Sequence, residues 1–210
     1  MKEFITIKEA VQAEVIEKKS KFIANFFYVE NVQEADEIIK EIKKKYFDAR
    51  HNCVAYRIID NEQLVEKLSD DGEPSGTAGA PMLNILQKNN LSNVLIVVTR
   101  YFGGILLGTG GLVRAYSDAL LKAIEGAQIV KKTLGQELQV LLEYNEFEKF
   151  KYYCKNNEIN IVNINYMEEI VCNIELEKCR KDKLLEDFET KKIKLLDIKE
   201  LSKKYINKSI

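Results

Sequence analysis

The sequence is poor in the residues that most often carry chemistry. Its 210 residues include one histidine (His51), no tryptophan, two prolines and four cysteines. Cys53, Cys154, Cys172 and Cys179 form no Cys-x-x-Cys pair, and a single histidine cannot complete a zinc set at this spacing. No metal and no cofactor is expected. Cys53 and Cys172 alternate with apolar neighbours on expected strands and read as reduced core thiols. Apolar runs such as Leu95 to Val98 fall far short of the roughly 20 residues of a membrane span. Met1-Lys2-Glu3-Phe4 opens no apolar leader. A soluble cytoplasmic protein with no membrane partner is therefore expected.

The chain also lacks an excess of either charge. With 32 basic and 33 acidic side chains it has no whole-molecule field to hold a polyanion, so nucleic-acid binding would need a local basic patch. Arginine is scarce, five against 27 lysines, and four of the five (Arg50, Arg57, Arg100, Arg114) precede residue 115. Where lysine is the default cation, arginine suggests that a planar, bidentate donor is wanted.

A hydrophobic fraction of 46% excludes a disordered chain, and the length allows one large domain or two small ones. All ten glycines fall between Gly72 and Gly135, with both prolines, Pro74 and Pro81, in the same interval. Special backbone conformations are thus concentrated in one stretch.

Periodicity predicts a hairpin over 12–29 with its turn at Glu17–Ser20, and an amphipathic helix over 32–47. A strand follows over 51–59 with Cys53, Ala55 and Arg57 on one face, then a short strand at 64–68. A helix is expected near 78–88, a buried strand over 93–99, a loop over 101–111, and a helix carrying Leu112, Ala115, Tyr116, Ala119 and Ala123. After a boundary near Lys131–Gly135, residues 136–210 read as strand, helix, two strands, helix and a last strand over 193–198. That β-α-β-β-α-β order is ferredoxin-like. The fold class is α+β, with domains expected at 1–132 and 136–210.

Two stretches and one lone residue are candidates for chemistry. In the first stretch, a buried strand runs through Arg100 into Gly103, Gly104, Gly108, Gly110 and Gly111, and then into a helix carrying Arg114. Such a helix start can hold an anion, with the arginines as further donors. It is neither a P-loop, because Thr109 stands where the lysine belongs, nor a dinucleotide fingerprint, because Val113 takes the last glycine position. The second stretch gathers Asp70, Asp71, Glu73, Ser75 and Thr77. It reads more readily as a turn that bonds its own backbone and caps the next helix than as a metal or acid–base site. His51 follows Arg50 at a strand start and is a lone polar candidate.

Asp70 to Pro81, Arg100 to Gly104 and Leu107 to Tyr116 together resemble the signature of the YigZ/IMPACT family, and His51-Asn52-Cys53-Val54-Ala55-Tyr56 resembles its upstream motif. The resemblance implies a first domain of the ribosomal-protein-S5 domain-two type, a sheet backed by two helices. It implies a second domain like the ferredoxin-fold last domain of elongation factor G. Eukaryotic IMPACT proteins regulate translation by competing for the activator of a starvation-responsive kinase. The resemblance carries no catalytic triad. The resulting expectation is a translation-associated regulatory protein that binds RNA, the ribosome or a translation factor. The alternative is an enzyme acting on a phosphorylated small molecule or nucleotide through the 70–81 and 100–114 loops.

Overall fold

The computed structural model describes residues 3–61 and 63–207. The chain divides into two compact units, one of Glu3–Val130 and one beginning at Lys131.

The first unit contains β1 (Glu3–Ile7), β2 (Val11–Glu17), β3 (Ser20–Tyr28), α1 (Val32–Lys45), β4 (His51–Asp60), β5 (Gln63–Ser69), α2 (Gly79–Lys88), β6 (Val94–Tyr101) and α3 (Gly108–Glu125). Five strands form an antiparallel sheet in the order β2-β3-β6-β4-β5. β6 is central and covered on both faces, which is why its sequence is a continuous apolar run rather than an alternation. β2 is an edge strand, and there apolar and polar residues alternate.

Cys53, Ala55, Ile96 and Val98 face α2 and α3, where Met82, Leu86, Tyr116 and Leu120 complete a core. Arg57 shares that face and donates to the carbonyls of Leu86 and Leu91. Val54, Tyr56, Leu95 and Val97 point the other way and pack against Ala35 and Ile42 of α1. The sheet is therefore a middle layer, with α1 on the face that a two-helix backing would leave bare. Asn31 starts α1 by accepting the Glu34 N–H at 2.9 Å.

Two expectations shift here. α3 begins at Gly108, so Gly108, Gly110 and Gly111 belong to its first turn and the loop is confined to 102–107. β1, which the periodicity does not reveal, lies beside the turn after α2, where Ser92 donates to the Ile5 carbonyl at 2.8 Å.

The second unit follows β7 (Ile129–Leu142) with α4 (Tyr144–Asn156), β8 (Asn160–Tyr166), β9 (Ile170–Glu177), α5 (Lys178–Glu189) and β10 (Asp197–Asn207). Its strand order β8-β9-β7-β10, antiparallel throughout, is the ferredoxin-like arrangement. Leu138, Val140, Cys172 and Ile174 pack against Phe147 and Phe150 of α4 and Leu184 of α5. The last strand lies later than the 193–198 expected, because pairing with β7, not apolar alternation, defines it. Among the described residues, no helix is long and apolar enough to cross a membrane.

Candidate functional site

The polar residues of the first unit meet at the end of the sheet where β4 begins and β6 ends. His51 is the first residue of β4 and is paired with Arg100 of β6. The 70–78 loop folds back over this corner and brings Glu73 with it.

Asp70 organises that loop. Its carboxylate accepts backbone N–H groups from Gly76 (2.8 Å), Ala78 (3.0 Å) and Gly79 (2.8 Å). It thereby caps α2 from nine residues upstream, where Ala78 has no side chain to do so. Burial works to raise its pKa, but the three donors prevail and hold the carboxyl below its ordinary value. Asp71 accepts the Asn52 N–H at 2.7 Å and pairs with Lys43 at 2.6 Å. Thr77 is buried and donates to the Pro74 carbonyl, whereas Ser75 is exposed. Asp70, Asp71 and Thr77 thus serve the turn itself, and no group of three or more His, Cys, Asp or Glu among the described residues is placed to hold a metal.

Glu73 is different. Its side chain is only 3% exposed, and one carboxylate oxygen, Oε1, accepts from Arg100 Nη1 at 2.7 Å and from the Tyr116 hydroxyl at 2.9 Å. His51 Nε2 lies 3.9 Å from the same oxygen. The other ring nitrogen, Nδ1, is 2.9 Å from the Asp71 carbonyl, which can only accept. Nδ1 therefore carries the proton, and in the neutral ring Nε2 is left with its lone pair. Tyr116 also accepts from the Cys53 thiol at 3.3 Å. Burial, opposed by that bond, pushes the Cys53 thiol up to about 12, and burial likewise raises the Tyr116 hydroxyl. Both groups are neutral hydrogen-bonding links at pH 7, not nucleophiles.

Above this network opens a cavity of about 560 Å³, lined by Arg50, His51, Glu73, Arg100, Phe102 and Thr109 among others. Arg100 lies under it between the rings of Phe22 and Phe102, 5.5 and 5.7 Å away. Its Nε is buried with no hydrogen-bond partner among the described residues. The loop 102–107 edges the cavity with apolar side chains; Phe102 is 49% and Leu106 83% exposed. The start of α3 completes the wall: its N-cap, Leu107, makes no side-chain cap bond, and its first turn holds no acidic residue.

The glycines of this stretch divide by role. A Cβ on Gly103 would lie 2.0 Å from the Lys19 carbonyl carbon, so the residue lets two backbones touch. Gly108 has φ +71, which lets the chain turn into α3. Gly104 and Gly110 have open space around them, and Gly111 meets Leu107. Arg114 does not join Arg100; it is exposed on α3 and is not among the residues lining the cavity. Arg50, Phe102, Tyr116 and Cys53 also belong to this corner, although no motif in the sequence marks them as site residues. Arg50 stands next to His51 and Phe102 two residues beyond Arg100, so their adjacency was the available signal.

Comparison with known proteins gives this corner a family. Residues 18–124 match the Impact N-terminal domain, and residues 140–189 match the Domain of unknown function (DUF1949). The chain is 37% identical over 211 residues to the IMPACT family member YvyE of Bacillus subtilis, covering 99% of this chain and 95% of that one. It is 34% identical over 189 residues to the IMPACT family member YigZ of Escherichia coli, covering 87% and 92%. A crystal structure of a hypothetical protein superposes with a TM-score of 0.63 at 31% identity, covering 93% of this chain and 97% of that one. The motifs that build the cavity lie inside the first matched domain, and the chain belongs to the IMPACT family.

Proposed function

We propose that the chain is a cytoplasmic, translation-associated regulatory protein that binds RNA through the cavity of its first unit. A phosphate would sit on the first N–H groups of α3, and a base would lie against Phe102. The observation that carries this reading is the open start of α3. Gly108, Thr109 and Gly110 are exposed and lack a side-chain cap, so their amides and the helix dipole offer an anion site. Arg50, exposed on the same cavity, supports it with positive charge, while the charge of Arg100 is already met by Glu73. The exposed Phe102 supplies a stacking face of the kind single strands use. The translation setting follows from the role of eukaryotic IMPACT proteins that the resemblance implies.

The test is the affinity of a short fluorescent single-stranded RNA at about 50 and 200 mM salt. Three phosphate contacts would weaken binding on the order of tenfold across that range. Arg50→Ala should lower both affinity and salt slope. Salt-independent binding, or binding unchanged in Arg50→Ala, would contradict phosphate recognition here.

One observation favours a second reading, an enzyme on a phosphorylated small molecule or nucleotide. His51 lines the cavity with Nδ1 on the Asp71 carbonyl and Nε2 3.9 Å from Glu73, and the lone pair this leaves on Nε2 of the neutral ring is suited to general-base work. Turnover of a phosphorylated compound, abolished in His51→Gln with the fold intact, would establish it. Equal turnover in that variant would end it.

A further inference from the structure

The second unit has almost no net charge: residues 136–210 hold 14 basic and 15 acidic side chains. Its charges are nevertheless sorted. Between α4 and the turn that follows α5 lies a cavity of about 370 Å³, lined by Lys149, Lys191, Lys192 and Lys194, with Glu146 as the one carboxylate on its wall. Lys192 is held by Asp187 at 2.9 Å and Lys149 by Glu146 at 3.0 Å. Lys191 and Lys194 are exposed and make no ion pair among the described residues.

The turn that presents them is ordered. Lys192 N–H reaches the Asp187 carbonyl at 2.9 Å and Lys191 N–H the Phe188 carbonyl at 3.0 Å. This closes α5 in a Schellman motif, with Lys191 at φ +57 in the position where glycine is the usual choice. The opposite wall is aromatic. Tyr152 is 69% exposed, and below it Phe150 and Tyr153 stack with ring centroids 6.4 Å apart.

We propose that this lysine–tyrosine cavity is a second RNA site, taking a base of a single strand against Tyr152 with its flanking phosphates on Lys191 and Lys194. A cavity of this size suits one nucleotide rather than a folded partner. Stacking on an exposed ring between mobile ammonium groups is how sequence-tolerant single-strand binders work. The sheet face that ferredoxin-like RNA binders use is unsuited to the task in this chain. Its central pair is Gln139 and Asn173, hydrogen-bonded at 3.3 Å, and Lys204 is tied down there by Glu137 and Glu175. The helix side is where this unit offers both a ring and unpaired cations.

The experiment is photocrosslinking of the full chain to a short oligouridine containing 4-thiouridine, with crosslinks mapped by mass spectrometry, beside affinity measured against salt. We expect a crosslinked peptide containing Tyr152. Tyr152→Ala should bind about tenfold more weakly. Lys191→Gln/Lys194→Gln should reduce the slope of log affinity against log salt by about 1.4, the share of two single-strand phosphates. No crosslink within 144–156 or 191–194, with affinity within about twofold in both variants, would overturn the proposal. So would complete displacement of the RNA from this site by millimolar inorganic phosphate or uridine monophosphate, which would make it a small-anion site. The inference goes beyond the reading of the first unit and is separable from it. Crosslinks at Tyr152 without any at Phe102 sustain this site and end that one, and the reverse pattern does the opposite.

Discussion

Glu73 and Arg100, 27 residues apart in the chain, meet through a 2.7 Å bond with their side chains only 3% and 7% exposed. Burying two charges this deeply is tolerable only while they remain together. Glu73→Ala should therefore cost about 3–5 kcal/mol in chemical denaturation, because Arg100 is left uncompensated. Glu73→Gln, which still accepts from Arg100 and Tyr116, should cost clearly less. Equal losses would mean that the lost charge alone sets the cost and that the hydrogen bonds to Arg100 and Tyr116 add nothing.

Glycine tolerance should split along the 103–111 stretch. Gly103→Ala forces a Cβ into the backbone of Lys19 and should destabilise by about 2 kcal/mol or more. Gly110→Ala meets nothing within 4 Å inside a helix and should be neutral or stabilise by up to about 1 kcal/mol. Thermal denaturation of the two variants side by side checks both.

Stability should fall in acid through Asp70 and Asp187. Both carboxyls lie below their ordinary pKa in the folded chain. For Asp70 the backbone donors outweigh burial; for Asp187 the Tyr153 hydrogen bond leads, with Lys192 adding to it. Their contribution is complete above the unfolded carboxylate range near pH 4 and is lost as pH falls from there through the folded values. Asp70→Asn/Asp187→Asn should flatten the decline below about pH 4. An unchanged acid limb would contradict the assignment.

The four thiols should separate cleanly. Cys179 is exposed, whereas Cys53, Cys154 and Cys172 are buried and burial raises all three pKa values. A thiol reagent at pH 8 should label one cysteine quickly and the other three only on unfolding. Rapid labelling of two would show that the core around one of them opens.

Thr109→Asp separates stability from binding. A carboxylate in the first turn of α3 complements the helix dipole and should stabilise by about 0.3–1 kcal/mol, while the same charge faces the cavity and should repel an RNA phosphate. Opposite signs in melting temperature and affinity are expected, and a variant that binds as well as the original would count against the anion site.

How much of this was legible in sequence depended on how local its cause is. The hairpin at Lys18–Lys19, the α1 periodicity and the ferredoxin-like order were readable because turn chemistry and apolar spacing alone produce them. The start of α3 was not, since a run at Gly108, Gly110 and Gly111 disfavours a helix by propensity. Only the left-handed Gly108 and the packing of Leu112 and Tyr116 make it start there. β10 is rich in lysine and glutamate and owes its conformation to pairing with β7, a tertiary cause. The 70–81 and 100–114 stretches stand out by their glycines and charges. That Glu73, His51, Arg100 and Tyr116 share one network depends on the register of β4 against β6, and no spacing in the chain expresses it.

The central claim, that the start of α3 holds an RNA phosphate, is tested most directly by a nitrogen–proton NMR titration of the full chain with short single-stranded RNA. The account predicts that the amide signals of Gly108, Thr109 and Gly110 move with the added RNA and that Arg50→Ala diminishes the shifts. Binding that leaves those three amides unmoved would contradict it.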